Sequence, residues 1–254
     1  MHESLLRQIP SRETRSHTDA IGIVFCGGSG TRLREITHNT LPKHLLPLDG
    51  TTTILDTTVH SLKAAGVNRI LLITTTATMD HIQRHAQWHP DLYAGTTIFQ
   101  NPNKVKNGMG SVLAEIRQHM PLTTTLIKMD GDMVHRGLSI SDMLRFHTGH
   151  TAPITAVVTR SGNFTHTITL DKDLQRVVHI DSDQSLTSPY TYGITGTWII
   201  DPSYVSALIR APDTQTFLHN AIQEDAVRWY MFDGPSININ TPDDYVRARM
   251  LWCK

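Results

Sequence analysis

Ile21-Gly-Ile-Val-Phe-Cys26 is a short, continuous apolar run that opens into Gly27-Gly-Ser-Gly-Thr-Arg-Leu33. A run of this length ending in glycines reads as a buried parallel strand entering a loop. The same grammar repeats downstream. Leu55, Val59, Leu62 and Gly66 follow helical spacing with a glycine stop, and Arg69–Thr74 is a second β-type run. Residues 79–89 read as a helix that stops before Pro90, and Thr97–Gln100 as a short strand. Val112, Leu113, Ile116 and Met120 mark another helix, and Thr125–Asp130 a strand followed by Gly131-Asp132. This alternation over residues 21–132 predicts an α/β fold, a mostly parallel sheet flanked by helices. Ligands in such sheets sit beyond the carboxyl ends of strands. Gly27–Arg32 and Asp130–Asp132 both fall there.

The second half differs. Ile154–Thr159, Thr167–Leu170, Gln175–Ile180 and Gly193–Ile200 read as strands separated by turn-rich pieces, which predicts a smaller antiparallel portion. The chain closes with Ile237-Asn-Ile-Asn240 and a helix start, where Thr241 is the N-cap and Pro242 the first helical residue. Residues 1–20 read as a loose leader, and 21–254 as one domain.

Composition excludes several classes. In 254 residues, 23 Lys plus Arg balance 23 Asp plus Glu, so the formal net charge is zero. A neutral chain lacks the basic footprint of a nucleic-acid binder and has little pull toward an anionic membrane. No run approaches the roughly 18 apolar residues of a membrane span, and the polar first twenty residues carry no secretory signal. Two cysteines, Cys26 and Cys253, define no disulfide framework, which suits a reducing cytosol. A cytoplasmic protein without nucleic-acid or membrane partners is expected, and its oligomeric state stays open.

The glycine loop carries the chemistry. Glycines at Gly27, Gly28 and Gly30, with Ser29 and Thr31 between and after them, let successive backbone N–H groups converge on phosphate oxygens. The loop lacks the ending of a P-loop and the spacing of the dinucleotide fingerprint. Arg32 follows directly and Pro42-Lys43 lies a little further on, so a guanidinium fork and an ammonium reach one strand end. Asp130-Gly-Asp132 places carboxylates at another strand end, which suits a hard divalent cation bridging phosphates.

Gly27–Leu33, Thr37 and Pro42-Lys43 with Leu45-Leu46-Pro47-Leu48 together resemble the signature of nucleotidylyltransferases that activate sugar 1-phosphates and small phosphorylated alcohols. The resemblance runs from about residue 21 to 250. It implies a Rossmann-like, GT-A-like sheet, with an NTP-binding half at about 21–150 and an acceptor-binding half at about 151–254. It further implies that the loop wraps the triphosphate, that Arg32 contacts the phosphates being separated, and that Lys43 holds charge. Asp132 maps onto the family's Mg²⁺ ligand, with Mn²⁺ as a substitute and Asp130 as a partner at the same strand end. The family's second metal ligand, commonly Asp or Glu before a Thr-Pro helix start, falls at Asn238 or Asn240. Asn238 is the preferred candidate. An amide oxygen there brings no charge. Glu35 stands where the family often has Pro.

On the nucleoside side, Asn101-Pro102 precedes Asn107-Gly-Met-Gly-Ser111. Asn107, Gly108, Gly110 and Ser111 are expected to admit and read a base. The pattern resembles the phosphocholine-cytidylyltransferase-like branch more than the hexose branch, and the Glu-Lys-Pro segment of hexose enzymes is missing. CTP with a small alcohol phosphate such as phosphocholine, or a sugar phosphate, is the expected substrate pair. The alternatives are a UTP- or dTTP-dependent hexose-1-phosphate enzyme, a GT-A-type glycosyltransferase using an NDP-sugar, and an inactive nucleotide-binding module. Tyr190, Tyr192, Trp198 and Trp229 are expected to be core residues or pocket walls, with an acceptor-side aromatic cage as the alternative and Asp181, Asp183, Glu224 and Asp225 as its counter-charges. His81, His85 and His89 recur at ligand-compatible spacing, but a solvated helix face is the expectation, and Cys26 is read as packing.

Overall fold

The structure is a computed structural model. It describes residues 6–8, 19–28, 30–101, 109–120, 122–164, 166–173, 176–181, 186 and 188–253. The chain forms two compact units, residues 1–105 with 128–134 and 238–254, and residues 106–127 with 135–237. These units differ in their bounds from the functional halves expected about residue 150. The segment 106–127 belongs with the later residues, while 128–134 and the C-terminal helix return to the first unit.

The first unit is the α/β alternation. β1 (Leu6–Gln8), β2 (Ile21–Phe25), β3 (Arg69–Thr74), β4 (Thr96–Gln100) and β5 (Leu126–Asp130) lie in the order β1-β4-β3-β2-β5. β2 pairs parallel with β3, and β3 parallel with β4. The leader is not wholly outside the fold, because Leu6–Gln8 pairs antiparallel with β4 as an edge strand. Buried Ile21, Ile23, Val24 and Leu71–Ile73 explain the continuous apolar runs, since both faces of these strands are covered.

Three short helical elements precede the first long helix, the 3-10 turn Thr31–Leu33, α1 (Arg34–Thr37) and the 3-10 turn Lys43–Leu45. α2 (Ile54–Ala64) starts at a capping box in which Thr53 and Asp56 bond each other's backbone N–H. α3 (Thr76–Trp88) ends before Pro90, as the sequence predicts. Pro90 then begins a short helix, α4 (Pro90–Tyr93), because proline suits a first helical position. α9 (Pro242–Trp252) has its N-cap at Thr241 and Pro242 as its first residue.

The second unit contains α5 (Met109–His119), α6 (Ile140–Thr148), α7 (Pro202–Arg210) and α8 (Thr214–Gln223). Its sheet is built from β7 (Ile154–Thr159), β8 (Thr167–Leu170), β9 (Val177–Asp181), β10 (Thr191–Ile200) and β11 (Val227–Phe232). β10 runs antiparallel to β7 and β8, and β8 antiparallel to β9, as expected. β11 runs parallel to β7. The short strands β6 (Met133–His135) and β12 (Ser236–Asn238) lie where the chain passes between the units. A mostly parallel, helix-flanked Rossmann-like sheet with an antiparallel addition is what the sequence predicts. No helix among the described residues is long and apolar enough to cross a membrane.

Candidate active site

The first unit assembles the glycine loop, Lys43 and the Asp-Gly-Asp turn. Cys26 extends the β2–β3 pairing through its N–H to Ile73 O, 2.8 Å, and the chain then leaves the sheet. Gly28 has φ +107° and Gly30 φ +58°, values that side-chain-bearing residues rarely adopt. A Cβ at either glycine would lie 3.9 Å from the Lys43 side chain, so the loop curls past that stem. Leu33 is buried and anchors the 3-10 turn, while Thr31 and Arg32 on the same turn are exposed. Ser29 lies outside the described residues.

Lys43 opens a second 3-10 turn, Lys43–Leu45. That segment is pinned by α9, whose Tyr245 hydroxyl donates to Pro47 O at 2.5 Å and whose Arg249 Nε donates to Leu48 O at 3.3 Å. Lys43 is only 8% exposed. Its Nζ donates to Asp132 Oδ2 at 2.5 Å, to Ile239 O at 3.4 Å and to Asn240 Oδ1 at 3.5 Å. The loop after β2 and the turn after β5 meet at Gly131, whose N–H donates to Phe25 O at 2.9 Å. A Cβ on Gly131 would sit 3.0 Å from Cys26 Sγ and from Phe25 O, so a glycine between the two aspartates permits this approach. Asp132 O accepts from Ile239 N at 2.9 Å, which draws the Asn238–Asn240 stretch alongside.

Two residues that the sequence reading passed over complete the site. Lys128 is 8% exposed, and its Nζ lies 2.6 Å from Asp130 Oδ1. Burial pushes the Asp130 carboxyl up, and Lys128 opposes that shift. The signal for Lys128 was a lysine inside the apolar run Leu126–Met129, at the alternate position to Asp130. His44, next to Lys43, is fully buried, and burial pulls its imidazole down to about 4, so it is neutral near pH 7. Cys26 is buried and burial pushes its thiol up, which fits packing rather than nucleophilic chemistry.

The structure thus joins Lys43, Asp132, Asp130 and Asn240. Asn240 accepts from Lys43 Nζ at 3.5 Å, two residues beyond Asn238 on the same stretch. The donor set of carboxylate and amide oxygens suits a hard divalent ion, with Asp132 and Asn240 sharing Lys43 Nζ as a neighbour.

The base-reading candidates belong to the second unit. Asn107 and Gly108 lie outside the described residues, and Ser111 sits in the first turn of α5. Gly110 packs α5 on α7, since a Cβ there would meet Leu208 O at 2.3 Å. Two of the four aromatic candidates take the core role that was the expectation for them. Trp198 is buried, stacks on Phe217 and donates to Thr195 O, and Trp229 is buried too, so both serve the core. Arg160 lies 5.7 Å from the Tyr192 ring centroid. Asp225 is paired with Arg228 and Glu224 accepts from Tyr204, while Asp183 lies outside the described residues. The histidine face is corrected. His85 is buried and bonds Asp56 Oδ1 at 2.8 Å, its ring 4.6 Å from that of His89.

Two solved structures share this fold. A Bacillus anthracis protein assigned as a glucose-1-phosphate thymidylyltransferase matches with TM-score 0.74 and 17% identity, covering 91% of this chain and 94% of its own. The inositol-1-phosphate CTP transferase from T. maritima matches with TM-score 0.71 and 18% identity, covering 94% and 97%. The family model described as nucleotidyl transferase matches residues 21–167, which include the glycine loop, Lys43, Asp130 and Asp132. With more than half of its length matched, and with these residues gathered at the ends of β2 and β5, the chain belongs to the nucleotidyl transferase family.

Proposed function

We propose that this nucleotidyltransferase moves a nucleoside monophosphate from an NTP, CTP favoured, to a phosphorylated small acceptor with release of pyrophosphate. The acceptor is a small alcohol phosphate such as phosphocholine, or a polyol or sugar phosphate. The observation that carries this reading is the Lys43 ammonium, held by Asp132 and Asn240 beside the Gly28–Gly30 loop. The acceptor phosphate attacks the α-phosphorus in line and pyrophosphate leaves. That phosphate is already ionised, so no strong general base is needed. The protein's task is positioning and cancelling charge. Loop N–H groups hold the triphosphate, Arg32 bridges its oxygens from the exposed turn, and Lys43 leaves Asp132 for a phosphate oxygen. Mg²⁺ or Mn²⁺, held by Asp132 and Asn240 with Asn238 as the alternative, would supply further charge neutralisation across the phosphates.

CTP is favoured by the Asn107–Ser111 pattern, by the missing Glu-Lys-Pro segment, and by the likeness to an inositol-1-phosphate CTP transferase. The likeness to the Bacillus anthracis protein favours a second reading, UTP or dTTP with a hexose 1-phosphate. Cys26 and Cys253 are both free thiols, in keeping with action in the cytoplasm. A pyrophosphate-release screen tests the proposal by crossing CTP, UTP, dTTP, GTP and ATP with phosphocholine, glycerol phosphate, inositol phosphate and sugar 1-phosphates. A CTP pairing is expected to lead. UTP or dTTP with glucose 1-phosphate ahead by about tenfold, roughly 1.4 kcal/mol in barrier, assigns the hexose branch instead. No release from any pair marks an inactive module.

A further inference from the structure

The site contains two lysine–carboxylate pairs. Lys43 Nζ and Asp132 Oδ2 are 2.5 Å apart, and Lys128 Nζ and Asp130 Oδ1 are 2.6 Å apart. A strand alternates its side chains, so Lys128 and Asp130 share one face of β5. Their formal charges, with those of Lys43 and Asp132, cancel. The C-terminal stretch adds only the neutral amides of Asn238 and Asn240. Among the described residues, no group of three or more His, Cys, Asp and Glu is gathered to hold an ion.

We propose that Lys128 is a positioning residue. By neutralising Asp130 it leaves the site without net negative charge, so a divalent ion enters with the nucleotide and is not retained by the protein alone. This rests on the nucleotidyl-transfer reading. Affinity for a hard divalent ion follows the number of carboxylate charges that face it. Here each carboxylate is already engaged by an ammonium, and an ion arriving alone must displace one. A triphosphate brings its own oxygens to the ion and gives Lys43 another anion to bind.

Free Mn²⁺ measured by electron spin resonance tests this on the full chain. Wild-type protein is expected to show no saturation below about 1 mM Mn²⁺ without nucleotide. Lys128→Met is expected to tighten Mn²⁺ binding at least about tenfold, and Lys128→Arg to restore wild-type behaviour, an outcome that mere packing does not predict. Should Lys128→Met fail to fold, Asn238→Asp adds the same negative increment and is expected to tighten binding similarly. Micromolar Mn²⁺ binding by the wild type overturns the inference and leaves the nucleotidyl-transfer reading standing. So does an affinity of the folded charge variant within about twofold of wild type. Wild-type protein that takes up no Mn²⁺ with any of CTP, UTP, dTTP, GTP or ATP present, by water-proton relaxation, overturns both.

Discussion

Asp56 and Asp132 lie in the same unit, and both accept from a basic side chain, yet the two carboxylates are engaged in different ways. Asp56 is buried and accepts from Thr53 N at 2.8 Å, His85 Nε2 at 2.8 Å and Tyr93 OH at 2.7 Å. Burial works against its charge, but the His85, Thr53 and Tyr93 bonds hold the carboxyl down at about 2. Those donors come from the start of α2, from α3 and from α4, so one carboxylate fastens three helices. Asp132 has one side-chain donor among the described contacts, an ammonium on a four-carbon stem. A carboxylate bonded from several rigid elements is structural, because none of its partners can leave cheaply. One held by a single point charge can exchange that partner for an ion while the lysine turns to phosphate. Function resides where the partner is replaceable.

The largest expected effect breaks or keeps this contrast at the site. Asp132→Asn should lower turnover by about a thousandfold, and Lys43→Ala and Arg32→Ala each by at least about a hundredfold, with melting temperatures nearly unchanged. Pyrophosphate release and thermal melts read both quantities. If Asp132→Asn instead melts early and keeps its rate per folded molecule, Asp132 is a fastener like Asp56. The converse variant, Asp56→Ala, should cost roughly 2–4 kcal/mol of stability, since it leaves buried donors unpaired and removes a helix cap. Turnover per folded molecule should stay within about twofold of wild type. A collapse of rate without loss in urea melts would place Asp56 with the site.

A smaller effect sharpens the contrast through pH. Burial holds His44, beside Lys43, and His135, in the second unit, down at about 4. His135 bridges Ser236 Oγ at 2.6 Å and Thr197 Oγ1 at 2.9 Å. The unfolded chain takes up these protons first as pH falls below the ordinary histidine value of 6.5. Their stability contribution is therefore complete above that value, is lost as pH falls toward about 4, and then levels off. Each should contribute a slope of about 1.4 kcal/mol per pH unit inside that window. Urea melts at neutral pH and near pH 5 measure the slope, and replacing both histidines with Gln should flatten it. An unchanged slope removes them as the acid-sensitive groups.

Much of the first unit was legible because its signals are local. The run Ile21–Cys26 is apolar on both faces, and Thr241-Pro242 combines a hydroxyl cap with a residue lacking an N–H, so strand and helix start declared themselves. The histidines misled for a physical reason. Spacing along α3 places His85 on a face, but whether that face meets water depends on Asp56 and Tyr93 from elsewhere in the unit. Trp198 and Trp229 left two roles open, because an aromatic ring serves a core or a ligand wall equally well until its neighbours are known. Lys128 was hidden because one charge in an apolar run carries no instruction about its partner.

By itself the sequence determined the alternation of strands and helices, the glycine loop with its positive φ angles, and the order of Lys43, Asp132 and the asparagine stretch. These follow from backbone conformation, periodicity and the donors each residue carries, all of which are encoded within a few neighbouring positions. Only the tertiary structure decided which of those groups touch. It paired Lys43 with Asp132 and Lys128 with Asp130, tied Asn240 to the ammonium, closed β5 onto β2 at Gly131, and drew residues 128–134 and α9 into the first unit. Such contacts join positions as distant as Leu48 and Arg249, 201 residues apart. Their energy depends on distance and burial, and a linear chain specifies neither until it has folded.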